Sequence, residues 1–266
     1  MKLKMLLSTA VATAAFTAVL PASATPIFPV FTVNAGAEAG TLNPFNANDL
    51  GGQYFEKVTF TTATIFNVSL YFQAGQFNLD DTTAPVTYNA GQTGLGSNYG
   101  LYATFLGTGN YSTSGTTTTF NLTSGNLSLL QDINNNTTFT LPADGLTPFG
   151  LVNAGDDILL GTGTNATGTG TSLGTTCSGN NCGSFGQTTP FVLTAAGSGF
   201  FVAPVPFYSL ALTSGQFQGI NPVAGQTVLS SGTANTVFQV PEPSPLALVG
   251  LGLLALGFSR RRSTKA

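Results

Sequence analysis

The residues of this chain that can do chemistry are few, and their spacing says more than their number. Between residues 25 and 240 there are nine acids: Glu38, Asp49, Glu56, Asp80, Asp81, Asp132, Asp144, Asp156 and Asp157. Asp132-Ile133-Asn134-Asn135-Asn136 has the alternating oxygen donors of a calcium loop. The comparison then breaks down, because Thr137 stands where an EF-hand loop needs glycine and Ala143 where it needs a bidentate glutamate. A turn between strands is the simpler reading. Asp80-Asp81 and Asp156-Asp157 are paired carboxylates that would bind calcium together only if the fold brought the pairs close. Taken singly, each pair reads as a solvated strand end, so no metal ligands are assigned. Tyr71, Phe72, Tyr99, Tyr102, Phe207 and Tyr208 have the chemistry of an aromatic platform against sugar rings, but core packing is the preferred reading, since a sandwich of this size needs large apolar side chains.

Histidine is absent. Ser-His-Asp and Cys-His catalysis therefore lack their base, and His-ligated zinc is excluded. A carboxylate-pair glycosidase stays chemically open, but nothing in the spacing of the acids selects two that would face each other. The expectation is a protein that is not an enzyme. Its two cysteines, Cys177 and Cys182, lie within Cys-Ser-Gly-Asn-Asn-Cys. In an exported chain such a pair most simply forms a local disulfide around a turn, stabilising by about 2 kcal/mol because the closed loop is short. A redox-active pair would need a helix N-terminus or a nearby cation, and neither is evident.

Charge narrows the partners further. Lys57 is the single base between residues 25 and 240, so against nine acids the net charge there is −8. Without a basic patch there is no electrostatic means of gripping a phosphate backbone, which excludes nucleic acid. Charged residues are only 6% of the chain, so Thr, Ser, Asn, Gln and Gly must wet the surface. A neutral, hydroxyl-rich surface suits a protein living among polysaccharide or at a cell surface.

The elements that carry these residues lie between two segments of different character. Met1 to Ala24 has charged Lys2 and Lys4, an apolar stretch from Met5 to Leu20, and the small residues Ala22-Ser23-Ala24. That is the form of a secretory signal peptide, with cleavage after Ala24 leaving Thr25 first. At the other end, residues 240–266 begin with Val-Pro-Glu-Pro-Ser-Pro, where Pro241, Pro243 and Pro245 forbid regular structure. Leu246 to Phe258 is apolar, and Arg260, Arg261 and Arg262 supply positive charge of the kind that stays on the cytoplasmic side of a membrane. As a helix the apolar run rises roughly 20 Å against a hydrocarbon core of about 30 Å, short for a permanent anchor and better suited to a processed signal.

Residues 25–239 are left as one all-β extracellular domain. Tyr54 to Thr62 places Val58 and Phe60 on one side and Lys57, Thr59 and Thr61 on the other, the alternation of a half-buried strand. Further strands are expected near 64–72, 99–107, 117–123, 126–131, 137–141, 156–161, 190–195, 199–203, 207–213, 226–230 and 235–240, with no helical periodicity between them. The expected architecture is a single sandwich or jelly-roll-like fold, with a barrel as the alternative. A weak repeat centred on Gly75, Gly125 and Gly215 reads as equivalent strand corners. Residues 161–189, rich in Gly and Thr, have linker composition and form either a long loop or hairpin ribs.

The tail resembles the PEP-CTERM sorting signal of Gram-negative bacteria through Pro241-Glu242-Pro243, the apolar run and the three arginines. The resemblance implies export by the general secretion machinery, transient residence in the inner membrane, and removal of the tail by an exosortase. Gln73-Ala74-Gly75-Gln76-Phe77, Tyr99-Gly100-Leu101-Tyr102-Ala103, Asp156-Asp157-Ile158-Leu159-Leu160 and Phe201-Val202-Ala203-Pro204 are similar to phrases of flocculation-associated PEP-CTERM proteins. That likeness implies a surface or extracellular-matrix protein promoting flocculation and biofilm cohesion with exopolysaccharide, and no cofactor. The alternative is a carbohydrate-binding module or lectin-like adhesin, with or without calcium.

Overall fold

Aromatic and β-branched residues alternate with hydroxyl residues along most of the chain, and a period of two builds strands. The computed structural model describes residues 28–36, 44–80, 85–174, 177, 179 and 181–240. Ala22, Ala24, Thr25, Glu38, Asp81 and the tail residues Pro241, Glu242, Pro243, Arg260, Arg261 and Arg262 lie outside the described residues. The strands begin with β1 (Phe31–Val33), β2 (Phe45–Ala47), β3 (Asp49–Phe60), β4 (Ile65–Leu79) and β5 (Val86–Thr87). Next come β6 (Gly100–Ser114), β7 (Thr117–Asp132), β8 (Thr138–Thr140), β9 (Gly150–Val152) and β10 (Ile158–Gly163). The last are β11 (Thr167–Leu173), β12 (Gly183–Leu193), β13 (Phe201–Ala203), β14 (Leu210–Phe217) and β15 (Thr227–Gln239). The described helical elements are Ala90–Thr93, Ala195–Phe200 and a 3-10 turn at Ala154–Asp156. These are too short to leave a periodic signature.

The main ladders close on themselves. β3 pairs with β4, β4 with β6, β6 with β7 and β7 with β11, all antiparallel. β11 pairs with β12, β12 with β14, β14 with β15, and β15 returns to β3, again all antiparallel. β10 is collinear with β11: it pairs with Leu127 to Gln131 of β7 and with Phe191 to Leu193 of β12. The two form one wall strand interrupted near Asn165, which takes a left-handed φ of 55°. The result is an up-and-down barrel of eight wall strands whose closure leaves no long free edge. Opposite walls pack across the interior, so the all-β, sandwich-like layering expected from the sequence holds. The jelly-roll connectivity is replaced by a meander. Tight links such as Gly115-Thr116, where Gly115 has φ 60°, let each strand pair only with the next.

The glycines read as strand corners have a different role. Only Gly75 is the extra residue of a bulge, skipped where Gly51 pairs with Gln76 and Gly52 with Ala74. Gly125 and Gly215 lie inside continuous ladders, and β7 runs through both strands expected at 117–123 and 126–131. A Cβ on Gly125 would stand 2.3 Å from Cζ of Phe105, and one on Gly215 would stand 2.7 Å from Cε1 of Phe185. Phenyl rings from adjacent strands occupy the space that side chains there would need. The same trade explains residues 161–189. The long-loop reading is overturned, because β11 and the first half of β12 are barrel wall. Thr167, Thr169 and Thr171 face out, while Gly168 and Gly170 take inward positions, so the strand lacks the apolar alternation that would have revealed it.

One end of the barrel is stoppered. β1, flanked by β2 and β13, forms a small sheet across it. Phe31 of that sheet is fully buried and packs edge-on against Phe238 at 5.5 Å and Phe201 at 5.7 Å, with Phe207 against Phe238 at 5.2 Å. At the other end the loop after β14 folds inward. Ile220 is buried, and its amide donates to Ser172 Oγ at 2.9 Å. A flap bearing the hairpin of β8 and β9 covers part of the outer wall.

Candidate functional site

Between the aromatic stopper and the Ile220 loop the inner wall of the barrel bounds a partly open cavity of about 90 Å³. Val58, Phe66, Val68, Phe120, Leu122 and Phe185 give it apolar walls. Gly168, Gly170 and Gly186 line it on the β11–β12 side, so the cavity lies where the Gly-Thr strand presents no inward side chain. Glu56 also lines it. The position follows from alternation: Tyr54, Glu56, Val58 and Phe60 share the inner face of β3, and Lys57 takes the outer one.

No countercharge meets this carboxyl. Its ladder partners are Leu70 on β4 and Ser230 on β15. Lys57, the sole base among the described residues, points to the other face. Burial therefore pushes the Glu56 carboxyl up to about 7, with Ser230 opposing the shift. The Ser230 hydroxyl is itself buried without a hydrogen-bond partner, so its opposing pull comes from proximity and not from a formed bond. Tyr54, the nearest titratable neighbour on the same face, has its phenol raised by burial and then by the Glu56 charge, and it donates to the carbonyl of Gln216 at 2.9 Å.

The residues singled out in the sequence have other occupations. Asp132 is buried and closes its own turn: its carboxylate accepts from the amide of Thr137 at 2.7 Å and of Asn134 at 3.3 Å. Asp157 accepts from the Tyr102 hydroxyl and from Thr137 Oγ1 at 2.9 Å, and Asp156 accepts from Asn134. This network pins the flap to the wall. Asp80 is exposed beside Asn48, whose side chain bonds the Asp80 backbone. Among the described residues no group of three or more His, Cys, Asp or Glu side chains is placed to hold a metal ion.

The six aromatic residues are used in packing, as the preferred reading of the sequence had it, and form no shared platform. Tyr71 and Tyr102 face outward but are stacked at 5.4 Å beneath the flap, with Phe139 at 4.5 Å from Tyr71. Phe72 and Tyr99 belong to the main core. Phe207 packs in the stopper beside Tyr208, whose hydroxyl donates to the Val30 carbonyl. Cys177 and Cys182 are bonded at 2.03 Å in the loop between β11 and β12. Glu56 was passed over in the sequence, although its parity with Val58 and Phe60 set a carboxyl on the apolar side of a strand.

Fold and interior together define a closed meander barrel, externally hydroxylated, with the carboxyl of Glu56 on its inner wall. The particular kind of chain is given by its tail. Residues 239–262 match the PEP-CTERM protein-sorting motif, which makes this an exported chain addressed to exosortase processing. No curated protein and no solved structure matches it. The motif begins at Gln239, the last residue of β15, so the tail leaves the barrel at its stoppered end.

Proposed function

We propose that the protein is a non-catalytic surface or extracellular-matrix protein that promotes flocculation and biofilm cohesion together with exopolysaccharide. The sorting motif at residues 239–262 carries this reading, because it directs the barrel to the cell exterior. The outer wall supports it. Thr59 pairs with Thr227 across strands at 2.7 Å, and Gln53, Gln73, Thr233 and Asn235 are exposed. Such a surface offers many weak hydrogen bonds to polysaccharide hydroxyls and little charge repulsion between copies.

The test is deletion of the gene in its host, followed by measurement of floc settling and of polysaccharide retained in the matrix. The expected result is slower settling and a depleted matrix, both restored by the intact gene and not by one lacking residues 240–266. Unchanged settling and retention would overturn the proposal.

A further inference from the structure

The cavity and its single carboxyl go beyond a role in cohesion. An interior used only for packing would be filled, since protein cores are close-packed and each unfilled space forfeits dispersion contacts. This interior holds an open volume of about 90 Å³ with an ionisable group on its wall. Apolar cavities of about 150 Å³ take up benzene-sized molecules, so a volume of about 90 Å³ sets a smaller size class, that of a short alkyl chain. The groups that face Glu56 are Tyr54 on its own strand, Leu70 on β4, Ser230 on β15, and Phe185 with Gln187 on the wall strand β12. None is a cation. Glu56 lines the cavity, so an entering molecule would meet this side chain. A desolvated carboxylate with no cation beside it is costly, and a ligand bearing a positive charge relieves that cost.

We propose that the barrel interior is a binding site for a small primary amine with an apolar body, its ammonium held by Glu56 and its hydrocarbon part by Val58, Val68, Phe66 and Phe120. Gln187 also lines the cavity, and its side-chain carbonyl oxygen is able to accept a further hydrogen bond from the ammonium. A neutral molecule of the same shape fits the apolar walls but leaves the carboxylate uncompensated. The site therefore discriminates by charge as well as by size.

Propylamine and 1-propanol are the probes, titrated calorimetrically into the full-length protein at pH 8. The expected result is saturable binding of propylamine with one site per chain. Glu56→Gln is expected to weaken propylamine by about tenfold or more while leaving 1-propanol within about twofold. Because Glu56→Gln alters the core, a second measurement uses the unaltered protein. Its affinity for propylamine should fall about tenfold or more between pH 8 and pH 5, where the amine stays charged and the carboxyl takes up a proton. Failure of propylamine to bind at pH 8 would overturn the proposal. So would equal affinity at the two pH values, or equal affinity in Glu56→Gln.

Discussion

Glu56 shows how a closed sheet turns one side chain into a thermodynamic sensor. Its pKa rises from 4.5 unfolded to about 7 folded, so the folded state binds the extra proton between those values. The resulting contribution to stability is fully present below pH 4.5 and is lost as pH rises through 7. Urea midpoints of the unliganded protein should therefore fall between pH 5 and pH 8. The loss attributable to this group is on the order of 3 kcal/mol. Asp49, also raised by burial, acts in the same direction, so the Glu56→Gln variant isolates the Glu56 share by having a flatter profile and a higher midpoint at pH 8. A second residue-scale prediction concerns Asp157. Replacing it by Ala removes the acceptor for Tyr102 and Thr137. Hydrogen exchange at Gly150 to Val152 should then rise while β3 and β4 keep their protection. Equal exchange in both proteins would show that the flap is held by the Tyr71, Phe139 and Phe149 rings alone. At this scale the sequence was legible in part. Asp132 as a turn residue was readable from its neighbours, whereas the burial of Tyr71 and Tyr102 was not, because both stand on outward positions and are covered by a segment far away in sequence.

At the level of elements, the barrel is built by matching glycine to aromatic rings across strands. Gly125→Ala should cost about 1–3 kcal/mol by forcing the Phe105 ring out of place. Gly186→Ala, where an added Cβ meets nothing within 4 Å, should be close to neutral or slightly stabilising by urea denaturation. Similar losses at the two positions would remove the ring-accommodation argument. The disulfide between Cys177 and Cys182 closes a separation of 5 residues, so reduction should lower stability by only about 2 kcal/mol. A denaturation midpoint measured with and without reductant checks that figure. Strand existence was legible wherever apolar residues filled the inner face, as at Val58 and Phe60. It failed at Gly168 and Gly170, whose inward positions are left empty, so a wall strand had the composition of a linker.

For the whole molecule, a chain of low charge remains orderly at the surface because closure removes edges and threonine ladders coat the exterior. The all-β class followed from the alternation of many segments. The meander did not, since strand order depends on which turns are too short to cross, and Gly75 and Gly125 looked alike in sequence although only one marks a bulge. The central claim is that this barrel is a body delivered outward and relieved of both terminal segments. Intact mass spectrometry of the protein recovered from its own host's culture tests it most directly. The account predicts a species lacking residues 1–24 and the apolar tail, in the extracellular fraction. An unprocessed chain of 27.1 kDa found in the cytoplasm would contradict it.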